Sequence, residues 1–231
     1  RMIGFGACIS GMLLQRKDYS GKFFPDMQPL NVFVVALIAM LVCAAFGTVT
    51  GFFIAYLNVP PFIATLAMME IVYGIGLIVT NATPLGGYVE QYTNVSNGKF
   101  LGINYLIWIA IIVAAITWFI FNMTRHGKYM YAIGGNPQAA EVAGVPVKAT
   151  LILIYMKAAA MYGLAGFMLG AKAGGASVQT GYGYEMEAIA ACTIGGVSVT
   201  GGRGKVSSAI IGVAVFELLK VCLLYTSPSP R

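Results

Sequence analysis

Long apolar runs, rather than an alternating pattern or a one-sided helical stripe, set the character of this chain. Val32–Leu57 and Tyr105–Met123 carry no charge. Residues 62–80 are interrupted only by Glu70, residues 149–171 only by Lys157, and residues 206–224 by Glu217 and Lys220. Each run is close to the roughly 20 residues that cross a hydrocarbon core of about 30 Å. Residues 2–14 read as the back half of another, so the pattern predicts six spans or part-spans.

The connections sharpen that reading. Asn58-Val59-Pro60-Pro61 predicts a tight turn, because two prolines continue neither helix. Residues 81–102 read as a polar loop, and residues 123–148 form the longest hydrophilic stretch. Residues 174–205 are too glycine-rich and too polar for a plain span. Within them, residues 186–199 predict a short helix that ends before Gly201-Gly202-Arg203-Gly204. Irregular backbone at membrane depth is tolerated only inside a bundle or beside a water-filled cavity. The expected fold class is therefore all-α: a polytopic transmembrane helical bundle with a broken or re-entrant helix region, as transporters have. Gly47 and Gly51, four apart, would let another helix approach the first long span closely.

Composition excludes several classes. Hydrophobic residues make up 58% and charged residues 10%, with a mean hydropathy of +0.80. A soluble domain carries about 25% charged residues, so an ordinary cytosolic enzyme and a disordered chain are both ruled out. The net charge of +6 comes from 14 Lys and Arg residues scattered singly, with no basic stripe for nucleic acid. With residues 123–148 in the cytosol, alternation puts Arg203 and Lys205 inside but Arg16, Lys17 and Lys22 outside. Positive charge therefore does not set the orientation. Cys8, Cys43, Cys192 and Cys222 lie far apart in apolar stretches and read as small buried hydrophobes without metal-ligand spacing.

The hydrophilic stretch contains Tyr131-Ala-Ile-Gly134-Gly135-Asn136-Pro137-Gln-Ala139-Ala140-Glu141-Val-Ala-Gly144-Val-Pro146. Both ends of a short helix are marked in it. Asn136 suits the N-cap and Pro137 the first helical position, where no amide donor is required. Gly144 suits a left-handed C-terminal cap, and Pro146 prevents continuation. Two turns of helix alone in water are unstable, because nucleation is costly. An alanine-faced helix held out in water therefore calls for a partner to seat it.

This string resembles the cytoplasmic loop of permease subunits in bacterial ABC-type monosaccharide importers, the ribose, xylose and galactose group. Two further stretches agree: Ala55-Tyr-Leu-Asn-Val-Pro-Pro-Phe-Ile-Ala-Thr-Leu66, and the run from Gly183-Tyr184-Glu185 through Glu187 to Gly195-Gly196-Val-Ser and Gly201-Gly202. The galactose/methyl-galactoside branch is the most similar. The resemblance implies one transmembrane permease domain over residues 1–225, multi-pass in the bacterial inner membrane and surrounded by lipid. It implies a translocation pathway for a monosaccharide and a second permease subunit, as a homodimer or homologous pair. A periplasmic or lipid-anchored sugar-binding protein and a separate ABC ATPase subunit would complete the system. Gly134, Gly135, Asn136, Pro137, Ala139, Ala140, Glu141 and Gly144 would then form the ATPase-coupling loop. The resemblance also implies a fragment cut at both ends, with residues 226–231 a polar tail foreign to the family.

Other residues fit this division of labour. Gly201-Gly202-Arg203-Gly204-Lys205 is not a phosphate loop, because Val206 replaces Ser/Thr and Val199 stands where the first glycine belongs. ATP hydrolysis is expected elsewhere, and neither a cofactor nor a metal is implied. Glu70 and Lys157 stand mid-span, where a charge costs about 2.5–3.5 kcal/mol; they are expected to face the pathway, to pair with one another, or to turn into helix interfaces. Tyr184, Glu185 and Glu187 are candidates for a pathway mouth. Glu217 and Lys220, three apart, predict a local ion pair. Trp108 and Trp118 suit an aromatic belt, and the single His126 carries no metal or catalytic reading. Alternatives are a permease for an amino acid or nucleoside, and an ion-coupled transporter using Glu70 or a glutamate near Tyr184. A membrane enzyme would need a clustered set of catalytic side chains, and none is evident.

Overall fold

The computed structural model describes residues 1–16 and 30–226, the side chains of Leu224 and Thr226 aside. Lys17, Lys22 and residues 227–231 lie outside the described residues. The elements run α1 (Met2–Leu13), α2 (Val32–Leu57), α3 (Pro61–Val79), α4 (Glu90–Asn97), β1 (Lys99–Phe100), β2 (Ile103–Asn104), α5 (Tyr105–Met123), α6 (Arg125–Gly135), α7 (Pro137–Val142), α8 (Val147–Ala173), α9 (Tyr184–Ile194) and α10 (Val206–Thr226). Among the described residues, five helices are long and apolar enough to span a membrane: α2, α3, α5, α8 and α10. Phe33, Leu37 and Leu41 of α2 and Leu218 and Leu223 of α10 are all more than half exposed. In water such faces would aggregate; in lipid they are the expected surface.

By internal contacts the chain divides into two compact units, residues 1–111 with 148–182, and residues 112–147 with 183–231. The first is organised around α1, which is buried without a break from Gly4 to Met12. Small residues make this possible. A Cβ on Gly6 would stand 3.0 Å from the Gly163 backbone, and one on Gly163 would stand 2.6 Å from the Ala39 carbonyl. On α2, any side chain at Gly47 or Gly51 would strike α8 at Tyr155 or Ile152, so the predicted close approach is made. Buried hydroxyls bond within their own helices: Ser10 Oγ donates to the Gly6 carbonyl at 2.8 Å and Thr80 Oγ1 to the Gly76 carbonyl at 2.8 Å. Cys8 and Cys43 are buried as expected, whereas Cys192 is half-buried and Cys222 is exposed on α10.

The polar loop expected over residues 81–102 is more ordered than its composition suggested. It contains α4 and β1 and turns into β2 just beyond, and it buries Leu85, Tyr88 and Tyr92 in the same core. Tyr92 Oη donates to the Phe167 carbonyl at 2.7 Å, and its ring packs between Tyr88 and Phe167. The Leu85 and Ala176 backbones form an isolated antiparallel bridge, with amide–carbonyl distances of 2.7 and 2.9 Å. Polar residues hid this anchoring because the apolar ones between them are few and their partners are distant in sequence.

In the second unit, α9 lies against α10. Gly212 approaches the Ala191 carbonyl and the Gly195 backbone, and Gly195 approaches the Ser208 carbonyl, closely enough to exclude any side chain. The short helix expected over residues 186–199 starts earlier, at Tyr184, and ends earlier, at Ile194, where Gly195 and Gly196 turn the chain.

Candidate functional site

The hydrophilic stretch holds two helices where the residues predicted one. Thr124 ends α5 and starts α6 with a single side chain: its Oγ1 donates to the Ile120 carbonyl at 2.6 Å and accepts from the Gly127 amide at 3.2 Å. This use of Thr124 as an N-cap was available in the sequence, as was the glycine pair that ends α6. After Gly135 the chain turns at Asn136, and α7 begins at Pro137 as expected.

α7 is closed at its N-terminus by the Asn136 side chain and at its C-terminus by its own backbone. Asn136 Oδ1 accepts from the Ala139 amide at 3.0 Å. At the other end the Val145 amide donates to the Ala140 carbonyl and the Gly144 amide to the Glu141 carbonyl, both at 3.0 Å. That pair of bonds is a Schellman motif, and it requires the left-handed Gly144, whose φ is +80°. Ala140 is buried, while Pro137, Ala139, Glu141 and Val142 face outward, with Val142 91% exposed. The helix is therefore a capped projection whose outer face is unused within the described residues.

α6 ties this projection to the glycine loop between α9 and α10. Tyr131 Oη donates to the Gly204 carbonyl at 2.8 Å. Gly134 lies so close to the Gly201–Gly202 backbone that a Cβ would not fit. Within the loop the Ser198 amide donates to the Arg203 carbonyl at 2.9 Å. Backbone thus rests on backbone, with no side chain between them.

Farther along α9, Glu187 and Lys220 meet, which sequence separation concealed. Lys220 Nζ stands 3.1 Å from Glu187 Oε2 and 3.4 Å from Glu217 Oε1, so the expected local pair on α10 is joined by a carboxylate from α9. Glu185 is half-buried on the first turn of α9, and Tyr184 is 43% exposed. Tyr184, Glu185 and Glu187 therefore belong to the helix itself rather than to a loop before it.

Glu70 and Lys157 do not come together. Among the described residues the ion pairs are those of Lys220; Glu70 is exposed on α3 and Lys157 half-buried on α8. Among the described residues no three His, Cys, Asp or Glu side chains are grouped to hold a metal.

Comparison with known proteins places this geometry in context. The profile of the family described as "Branched-chain amino acid transport system / permease component" matches residues 1–231. The chain is 38% identical over 237 residues to the galactose/methyl galactoside import permease protein MglC of Escherichia coli (strain K12), covering 100% of this chain and 70% of that protein. It is 36% identical to the MglC protein of Treponema pallidum (strain Nichols), covering 97% of this chain and 45% of that one. The ribose import permease protein RbsC of Escherichia coli (strain K12) is 35% identical, over 82% of this chain and 60% of its own length. No solved structure matches the chain.

Proposed function

The chain belongs to the family of permease components described for the branched-chain amino acid transport system, and from that membership we propose that it forms the translocation pathway of an ATP-driven, binding-protein-dependent monosaccharide importer. It is a multi-pass protein of the inner membrane. The observation that carries the sugar reading is the 38% identity to a galactose/methyl galactoside import permease across the whole chain. Both units serve one permease domain over residues 1–225. A separate ABC ATPase hydrolyses ATP, and the chain itself performs no chemistry. A sugar-binding protein delivers substrate outside, and a second permease subunit, a copy or a homologue, completes the pathway.

Within this reading α7 is the contact for the ATPase. Its caps hold it in shape, its outer face is exposed among the described residues, and α6 connects it to the α9–α10 loop through Tyr131 and Gly134. Gly134 to Gly144 thus act as the coupling loop, a lever between a nucleotide-driven partner and a helix bundle with two arrangements. Glu70, Lys157, Tyr184, Glu185 and Glu187 are candidates for pathway contacts. For Glu187 the role is shared with its bond to Lys220.

The test is ATP hydrolysis by the intact protein, co-purified with its candidate ATPase subunit in nanodiscs, with sugar and binding protein added. Stimulation by galactose, methyl galactoside or ribose, abolished in Asn136→Ala/Gly144→Leu, is the expected result. Stimulation by an amino acid instead would keep the coupling and replace the substrate. Transport driven by an ion gradient without any ATPase would overturn the proposal.

A further inference from the structure

The hairpin that precedes α5 is apolar where a water-facing hairpin would be polar. β1 and β2 are joined by Leu101 and Gly102, both left-handed, with φ of +55° and +79°. A turn of this kind normally takes Asn or Asp before Gly, because a branched apolar side chain is crowded at positive φ. Leu101 occupies the position nonetheless and is 79% exposed, beside Phe100 at 56% and Ile103 at 41%. Local backbone preference does not account for a leucine here. The side chain must gain elsewhere what it loses at the turn.

The hairpin is fixed to the head of a span. Asn104 Oδ1 accepts from the Leu106 amide at 2.9 Å, Asn104 Nδ2 donates to the Ser96 carbonyl, and the Tyr105 amide donates to the Gly98 carbonyl at 3.1 Å. Trp108 Nε1 donates to the Phe100 carbonyl at 3.3 Å, and the Trp108 and Phe100 rings meet edge to face with centroids 6.2 Å apart. α5 buries none of its residues. Through the Phe100–Trp108 contact the exposed tip adjoins the apolar surface of α5, and Lys99 on the same hairpin is exposed.

We propose that this hairpin is an interfacial membrane anchor, with Phe100, Leu101 and Ile103 seated at the headgroup–acyl boundary of the bilayer. The occupant is lipid because the tip adjoins a surface already in lipid, and because the residues around it are the types that settle at this depth. Trp108 supplies an amphipathic ring with its N–H already bonded, and the exposed Lys99 is a cation long enough to reach lipid phosphate. Apolar side chains placed this way enter about 5–10 Å into the boundary region. The anchor fixes the N-terminal end of α5 to the membrane and is independent of what the protein transports.

The test uses the intact protein with Cys192 and Cys222 replaced by serine and Leu101→Cys carrying a bimane label, in vesicles of phosphatidylethanolamine and phosphatidylglycerol. The expected result is loss of emission with lipids brominated near the head of the acyl chain and no loss with aqueous iodide. The same label at Gln138→Cys, on the exposed face of α7, is the water-facing reference. Iodide quenching equal to that reference, with no effect of bromolipid, overturns the proposal. Protection from both quenchers also overturns it, since the tip would then be covered by protein, a second copy or the binding protein. Ile103→Cys, on ordinary strand backbone, repeats the measurement if the turn does not tolerate the first variant.

Discussion

α1 has twelve residues and α7 has six, and neither would hold its shape alone in water. α1 is retained by everything around it: Gly4 to Met12 are buried, its polar Ser10 is bonded internally, and its glycines admit α8 at backbone distance. α7 has Ala140 as its single buried residue and keeps its form through bonds made by its own ends. One helix is a consequence of the core. The other is a consequence of capping, and its outer face is left for something else. The difference teaches where each helix should fail: crowding destroys the first, and loss of one side-chain oxygen loosens the second without harming the rest.

Crowding the first should have the largest effect. Gly163→Val places a Cβ 2.6 Å from the Ala39 carbonyl and 3.0 Å from Met40 Cα. No flexible side chain stands there to yield, so the α2–α8–α1 packing must open, at about 3 kcal/mol or more. The expected outcome in detergent is loss of monodisperse protein or a large fall in melting temperature. A wild-type melt would show that the buried helix is less dependent on close packing than its burial indicates.

A smaller effect belongs to the anchored loop of the same unit. Tyr92→Phe removes the bond to the Phe167 carbonyl and leaves that oxygen buried, a loss of about 1–2 kcal/mol. Burial pushes the Tyr92 hydroxyl up from its ordinary value near 10. The folded protein therefore keeps a proton that the unfolded chain releases, and the stability tied to Tyr92 is intact below about pH 10 and falls as the pH rises beyond it. Melting curves across alkaline pH should show this slope for the wild type and a shallower one for Tyr92→Phe. Equal slopes would place Tyr92 in contact with water.

Asn136→Ala acts only on α7. Losing the N-cap costs about 1 kcal/mol, so amide exchange across residues 138–143 should rise about fivefold while the global melt stays unchanged. A fall in global stability would mean that α7 supports the fold, and the comparison with α1 would collapse.

These regions also differ in how legible they were beforehand. α2 and α5 were readable to their ends, because an uninterrupted apolar run needs no distant partner to be a span. α7 was readable because its caps lie within eight residues of one another. Everything that depends on distant partners was hidden. Tyr92 meets Phe167 across 75 positions and Lys220 meets Glu187 across 33, so the first looked like loop and the second like a local pair. α6 was missed although Thr124 marks its start, since basic and aromatic residues over residues 125–131 carry no strong apolar period. The exposed hairpin was missed because Leu101 contradicts the turn chemistry that would have announced it.

The smallest structural effect separates the two halves of the α7 argument. Val142 is 91% exposed, so Val142→Asp removes no contact within the protein and, at a helix C-terminus, meets only a mild unfavourable dipole term of a few tenths of a kcal/mol. Melting temperature and exchange across the bundle should match the wild type. On the proposed reading Val142 seats against the ATPase subunit, and a carboxylate in its place would be desolvated there without compensation. Co-purification with the ATPase subunit should therefore fall sharply for Val142→Asp while the isolated protein remains unaltered. Undiminished association would move the contact off this face of α7, onto Glu141 and Gln138 or away from the helix, and leave its caps unexplained.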